Sequence, residues 1–255
     1  MKQLLVRLFG FPALLIHSDT LVTDRWRWLT RNLPAPVNGA TNVLDVGCGN
    51  GAFTIGMARR GFQSLGLSWD EGNKVASQHR ASVCNAPSAQ FEIMDVRHLD
   101  QRVDLSEKCD VVVCLETIEH ILNDQKLMID MARCLKPGGT LLLTTPNSNY
   151  KPMTQSDKGP FRQIEDGWHV RKGYTPDDLK RLCAGSGLKV CDIGYCSDFV
   201  SQKVTALWRV ASRINPFFGW GVVLPFRVLP FLLDPWFSRL IRWPGFSITL
   251  VAAKS

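Results

Sequence analysis

The run Asn42-Val-Leu-Asp-Val46 passes without a break into Gly47-Cys-Gly-Asn-Gly51, and that loop into the stretch Ala52 to Arg60. Branched apolar residues bounded by glycine predict a buried strand, and glycines at alternate positions let a backbone turn approach a ligand closely. The stretch that follows predicts a helix, with Gly61 at its C-cap. Strand, glycine loop and helix together constrain the chain to an α/β architecture with a ligand crevice at the carboxyl ends of its strands.

The alternation continues downstream. Strands are expected at Ser64 to Leu67, Gln90 to Met94, Asp110 to Leu115 and Thr140 to Thr145, and helices at Glu71 to Ala81 and Met128 to Leu135. The second of these helices is expected to stop at Lys136-Pro-Gly-Gly139. Thr175-Pro-Asp-Asp178 reads as an N-cap with proline at the first helical position, opening a helix through Cys183. Ser247 to Ala253 reads as a final strand returning to the sheet. The pattern implies a Rossmann-like, doubly wound, mainly parallel sheet. Four zones follow: a helical lead-in over 1–33, a core over 34–200, an aromatic and basic insertion over 201–245, and a last core strand over 246–255. At 255 residues and 45% hydrophobic content, one domain with appendages accounts for the whole chain.

Gly47, Gly49 and Ala52 also fit the G-x-G-x-x-A of a dinucleotide site, so the loop alone does not identify its ligand. Its company does more: Asp45 precedes the glycines, Asp95 follows the third strand, and Pro137-Gly-Gly139 precedes the fifth. With Asp45-Val-Gly-Cys-Gly-Asn-Gly51 matching D-x-G-x-G-x-G, the chain resembles the class I S-adenosylmethionine-dependent methyltransferases. That cofactor is a sulfonium with no phosphate, so a strand-end carboxylate such as Asp45 is an asset beside it and would be a liability beside pyrophosphate. The resemblance implies a seven-stranded sheet. It places Asp45, Gly47, Gly49 and Gly51 at the methionine end, Asp95 and Val96 at the adenine, and Leu115 and Arg27 also at the cofactor. The second strand of this family usually ends in an acid that holds the ribose; here Ser68, Trp69 and Asp70 stand there, so Ser68 and Asp70 share that expectation.

Cys114-Leu-Glu-Thr-Ile-Glu-His120 looks like the E-x-x-E-H segment of the ubiquinone-biosynthesis O-methyltransferases. On a helix, Glu116, Glu119 and His120 would share a face. Two jobs are open to that face: His120 as a general base oriented by a carboxylate such as Glu116, or Glu116, Glu119 and His120 as ligands of a divalent cation such as Mg. His169, just before the Tyr174-Thr-Pro-Asp-Asp-Leu179 helix start, is a second base or ligand candidate.

Eight scattered cysteines without a C-x-x-C pair exclude a zinc ribbon and a redox motif, and read as small buried hydrophobes. Net charge is +7, and from Ala206 to Trp243 arginines interleave with Trp and Phe, a pattern suited to an anionic membrane surface rather than to nucleic acid. Proline and arginine interrupt this segment, so an in-plane insertion at 206–243, or a cap over a greasy pocket, is expected in place of a span. The basic and then apolar start lacks a clean cleavage site and is expected to be retained in a cytoplasmic, membrane-peripheral protein.

The reading is O-methylation of a hydroxyl on a hydrophobic or lipid-linked acceptor, a quinone-type or isoprenoid phenol or a lipid-anchored glycan. The alternatives are methylation at carbon or nitrogen of a lipid, and a non-catalytic membrane-associated adaptor.

Overall fold

The computed structural model describes residues 2–16, 20–37 and 39–255, so Met1 and residues 17–19 of the expected lead-in, and residue 38, lie outside the described residues. Seven strands form one sheet: β1 (Asn42–Val46), β2 (Gln63–Ser68), β3 (Ala89–Ile93), β4 (Cys109–Leu115), β5 (Leu135–Pro146), β6 (Leu188–Cys196) and β7 (Ser247–Lys254). Their order is β3-β2-β1-β4-β5-β7-β6, with only β7 antiparallel to its neighbours. From β1 the chain winds outward through β2 to β3, then returns to β4 and winds the other way. The switch point lies between β1 and β4, where such a sheet opens its crevice.

Both faces of the sheet are covered, which is why its strands are apolar at successive positions instead of alternating. Val112 and Cys114 of β4 join Leu44, Val46, Leu141 and Leu143 on one side, while Val111, Val113 and Leu115 join Val43 and Leu142 on the other. Helices α5 (Glu71–Val83), α6 (Asp124–Cys134) and α7 (Pro176–Ala184) complete the winding with α4 (Ala52–Ala58). The N-cap expected at Thr175 is present and closes as a capping box, with Asp178 N donating to Thr175 Oγ1 and Thr175 N donating to Asp178 Oδ2.

Several boundaries differ: α4 ends at Ala58 with Arg59 as its C-cap in place of Gly61, and α6 begins at Asp124, ahead of the expected Met128. The Pro-Gly-Gly segment does not separate helix from strand, because β5 starts at Leu135, immediately after α6. Cys109 pairs with Leu135, and the register then jumps so that Val111 pairs with Thr140. The glycines are absorbed as a bulge inside the strand.

The lead-in is part of the body. Helices α1 (Lys2–Phe9) and α2 (Phe11–Ile16) pack on α5 and α4, α3 (Thr20–Asn32) packs on β5 and β6, and Trp26 of α3 sits so close over Gly56 of α4 that a Cβ there would lie 2.4 Å from its ring. The insertion folds as α8 (Phe199–Ala211), α9 (Pro216–Val223) and α10 (Leu229–Leu240). Thr20 of α3 bonds Ser201 O and Thr205 of α8, and Asp234 of α10 accepts Val200 N and Ser201 N, so one carboxylate satisfies the open first turn of α8. Among the described residues no helix is long and apolar enough to cross a membrane.

Candidate functional site

A cleft of about 230 Å³ lies where β1, β2 and β4 end, and Gly47, Gly49, Ser68, Trp69, Asp95, Val96 and Thr117 line it. Gly47 has φ +81, and a Cβ on it would fall 2.3 Å from Thr117 Oγ1, so no other residue lets the loop pass this closely. Gly51 serves a different purpose: it N-caps α4, and a Cβ there would strike Ser77 and Phe91. Its role is helix packing, and it does not line the cleft.

Asp95 fulfils two roles at once, accepting Arg97 N as the cap of the turn at Val96–Gln101 and holding the Arg97 guanidinium through Nε at 2.9 Å. That hydrogen bond keeps its carboxyl below the usual carboxylate range. Arg97 also reaches Glu165 at 3.0 Å, which carries the loop over 159–173 to the cleft rim. Arg97 Nε and Nη2 also reach Asp95 Oδ2, so this one arginine engages both carboxylate oxygens at the cleft rim.

Besides Gly51, four expected contacts are displaced. Asp45 is 2% exposed, does not line the cleft, and accepts a 2.6 Å bond from Thr54 Oγ1 beneath the loop; burial pushes its pKa up to about 6. Asp70 turns away to cap α5 by accepting Asn73 N, leaving Ser68, Trp69 and Asn73 at the ribose position. Leu115 is a core residue, and Thr117 takes the place expected for it. Arg27 lies 4.4 Å over the Phe231 ring of α10 and does not line the cleft. Arg25 faces inward instead, because it falls between Leu21 and Leu29 in the i, i+4 stripe that α3 buries.

A second cavity, of about 670 Å³, adjoins the cleft, and Glu116 and His120 line both. The chain between them is not the helix expected. Glu116 has φ +52, and Ile118–His120 is a single 3₁₀ turn, so Glu116 parts from Glu119 and His120. Glu116 is held from three segments: Thr144 Oγ1 donates at 2.9 Å, Ser247 Oγ at 3.0 Å and Arg25 Nη2 at 2.8 Å. Nothing in the sequence pattern pairs residues so far apart in the chain.

The group that does assemble is Glu119, His120 and His169, whose donor atoms lie within 4.8 Å of one another. Val170 N donates to Glu119 O at 3.1 Å and brings His169 over the site, where its ring stands perpendicular to that of His120 with centroids 4.6 Å apart. Glu119 is fully buried: Thr145 Oγ1 donates to one oxygen at 3.0 Å, and Oε1 has no hydrogen-bond partner among the described residues, with His120 Nε2 at 3.9 Å and His169 Nε2 at 4.0 Å. Burial, reinforced by the Glu116 charge, raises its pKa well above the ordinary value. Burial also lowers His120, and burial with the adjacent His120 pushes His169 down to about 4, so both imidazoles are neutral near pH 7. Neutral imidazoles accept protons or bind metal ions.

The family model described as methyltransferase domain matches residues 20–193. The ubiquinone biosynthesis O-methyltransferase of Dinoroseobacter shibae is 34% identical over 187 residues, covering 71% of this chain and 71% of the relative. That of Neisseria meningitidis is 30% identical over 170 residues, covering 65% and 71% respectively. Among solved structures, the geranyl diphosphate C-methyltransferase of Streptomyces coelicolor superposes with a TM-score of 0.59 at 14% identity, over 91% of this chain and 75% of that one. The last likeness concerns the fold alone.

Proposed function

Because this chain belongs to the methyltransferase-domain family and is an S-adenosylmethionine-dependent methyltransferase, we propose that it methylates a hydroxyl of a hydrophobic, lipid-linked acceptor of the quinone or isoprenoid-phenol type. The observation that carries the reading is the shared wall: Glu116 and His120 border both the glycine-loop cleft and the larger cavity. The residues present suit the cofactor, with a glycine turn open to the cleft and the Asp95 carboxylate at its rim. When bound, the cofactor supplies an electrophilic methyl group on sulfur.

The chain's own contribution is position and proton transfer. Leu21, Phe161 and Phe246 give the larger cavity apolar walls for the acceptor body. The reacting hydroxyl is brought to His120, whose neutral imidazole takes the proton as the oxygen attacks in line. Glu116, fixed by its three donors, keeps the wall between the two compartments rigid.

The orphaned Glu119 Oε1 supports a second element of the reading, a divalent cation held by Glu119, His120 and His169. Two imidazoles and a carboxylate favour a transition ion over Mg. Peripheral membrane contact through 206–243 completes the proposal, and its support is the exposure of Phe217, Leu232, Trp236 and Leu240 beside Arg239 and Arg242.

The test is transfer of radiolabelled methyl from S-adenosylmethionine to a short-chain prenylated catechol in vesicles. Transfer by the wild type, reduced at least 100-fold in His120→Ala, is the expected result; full activity of His120→Ala overturns the base assignment. Calorimetry with Mn, Zn and Mg on wild type and His169→Ala separates the cation from the base role.

A further inference from the structure

We infer that the larger cavity takes an acceptor with an oxyanion at one end, seated on Arg209 and Arg213 where α8 meets α9. The inference rests on the reading above and narrows it, from a hydrophobic acceptor to an amphipathic one bearing a phosphate-type group.

The argument starts from the charges in the wall. Arg25, Arg162, Arg209 and Arg213 all line this cavity. Arg25 is answered by Glu116 at 2.8 Å, Arg162 by Asp166 and Arg209 by Asp157 at 3.0 Å. Arg213 has no side-chain hydrogen bond or ion pair with any described residue. Glu119, the remaining acid in the wall, is fully buried, accepts its hydrogen bond from Thr145 and makes no ion pair with Arg213. An aqueous cavity with an uncompensated guanidinium attracts an anion, and guanidinium groups match oxyanions in geometry.

The placement is built and not incidental. Arg209 lies in the last turn of α8 and Arg213 in the turn between α8 and α9, and both line the same cavity. Asp157 orients Arg209 while its own second oxygen accepts Met153 N and Thr154 N, which locks the loop opposite α8. Gly219 of α9 packs onto Ser212 so tightly that a Cβ would lie 2.1 Å from its hydroxyl, which fixes the turn on which Arg213 sits. Deeper in, Leu21, Phe161 and Phe246 are apolar, and His120 and Glu116 stand at the junction with the cleft. An acceptor with its oxyanion at α8 therefore spans the cavity with its reacting hydroxyl toward His120.

Both arginines lie beyond residue 193, where the match to the family model ends. The anion seat is accordingly a property of this chain's insertion, while the methyl-transfer machinery is a property of the core.

The experiment is calorimetric titration of the full chain, saturated with S-adenosylhomocysteine, with dodecyl phosphate, dodecanol and inorganic phosphate, each below any micelle concentration. Dodecyl phosphate is expected to bind at least tenfold more tightly than dodecanol and at least 100-fold more tightly than inorganic phosphate. Arg213→Ala removes the preference over dodecanol, Arg213→Lys keeps part of it, and both retain wild-type affinity for S-adenosylhomocysteine, which reports an intact fold. Equal binding of dodecanol and dodecyl phosphate, or a preference that survives Arg213→Ala, overturns the anion seat and leaves the hydrophobic acceptor standing. Inorganic phosphate binding as tightly as dodecyl phosphate overturns the amphipathic acceptor, and failure of both dodecyl compounds to bind overturns the acceptor reading itself.

Discussion

Arg25 Nη2 lies 2.8 Å from Glu116 Oε2, with both side chains largely withdrawn from solvent, so a single ion pair closes the seam between α3 and the turn after β4. Removing one partner of a buried pair leaves the other charge without compensation. Arg25→Ala is expected to cost about 3 kcal/mol, read as a fall of roughly 6–12 °C in Tm for a chain of this size. Arg27→Ala, two residues away and stacked only on Phe231, is expected to cost under about 1 kcal/mol. Thermal unfolding of the two variants side by side checks the assignment, and equal losses would refute it.

The glycine loop makes a sharper prediction about the cofactor. Gly47→Ala adds a methyl group 2.3 Å from Thr117 Oγ1 on a backbone with φ +81, so the loop must move. Affinity for S-adenosylhomocysteine is expected to fall at least tenfold, measured by calorimetry. Asp45→Asn is expected to act mainly on stability, because that carboxylate bonds Thr54 and does not reach the cleft.

Stability is expected to decline as pH rises through the range from about 4 to 7. Burial pushes Asp24 up to about 7, offset in part by its hydrogen bond from Ser201, and burial likewise raises Asp45 to about 6. Between the unfolded value near 3.8 and these folded values, the native state binds more protons than the unfolded chain. The stabilisation is therefore complete below pH 4 for these groups and lost as pH passes 7. Asp24→Asn is expected to flatten the Tm profile across that window, and a profile as steep as the wild type's would count against the assignment.

Of the eight thiols, Cys191 alone is exposed. Burial raises the pKa of Cys109 to about 12 and also pushes the thiols of Cys48, Cys114 and Cys196 well up. One fast equivalent of thiol reagent at pH 8, abolished by Cys191→Ser, is the expected outcome; several fast equivalents would show a looser core.

Local patterns carried the sheet. Apolar runs punctuated by glycine and proline located β1, β2, β4 and β7 and the cap at Thr175, because these signals depend on neighbouring residues. The site was legible only in its loop. Glu116, Glu119 and His120 were expected on one helical face, but a left-handed Glu116 ends the strand and a single 3₁₀ turn follows, so the triad forms with His169 instead. Choosing Arg25 over Arg27 required knowing which face of α3 is inside, and the stripe Leu21, Arg25, Leu29 did hold that information. The partners Thr144 and Ser247 of Glu116, 28 and 131 positions away, left no local trace, since contacts over such separations have no periodicity.

Arg25, Glu116 and Ser247 meet in one hydrogen-bonded knot, with 222 residues between its first and third members. During synthesis, the lead-in, the glycine loop and the turn that carries Glu116 and His120 all leave the ribosome before β7 does. Until Ser247 emerges, Glu116 lacks one of its three donors, and the edge of β5 that β7 will pair remains open. A nascent chain can thus hold a recognisable nucleotide-type crevice while the compartment beside it is unfinished. Long-range closure of this kind is slow, and it makes the appearance of β7 the event that converts a partly folded polypeptide into a working enzyme.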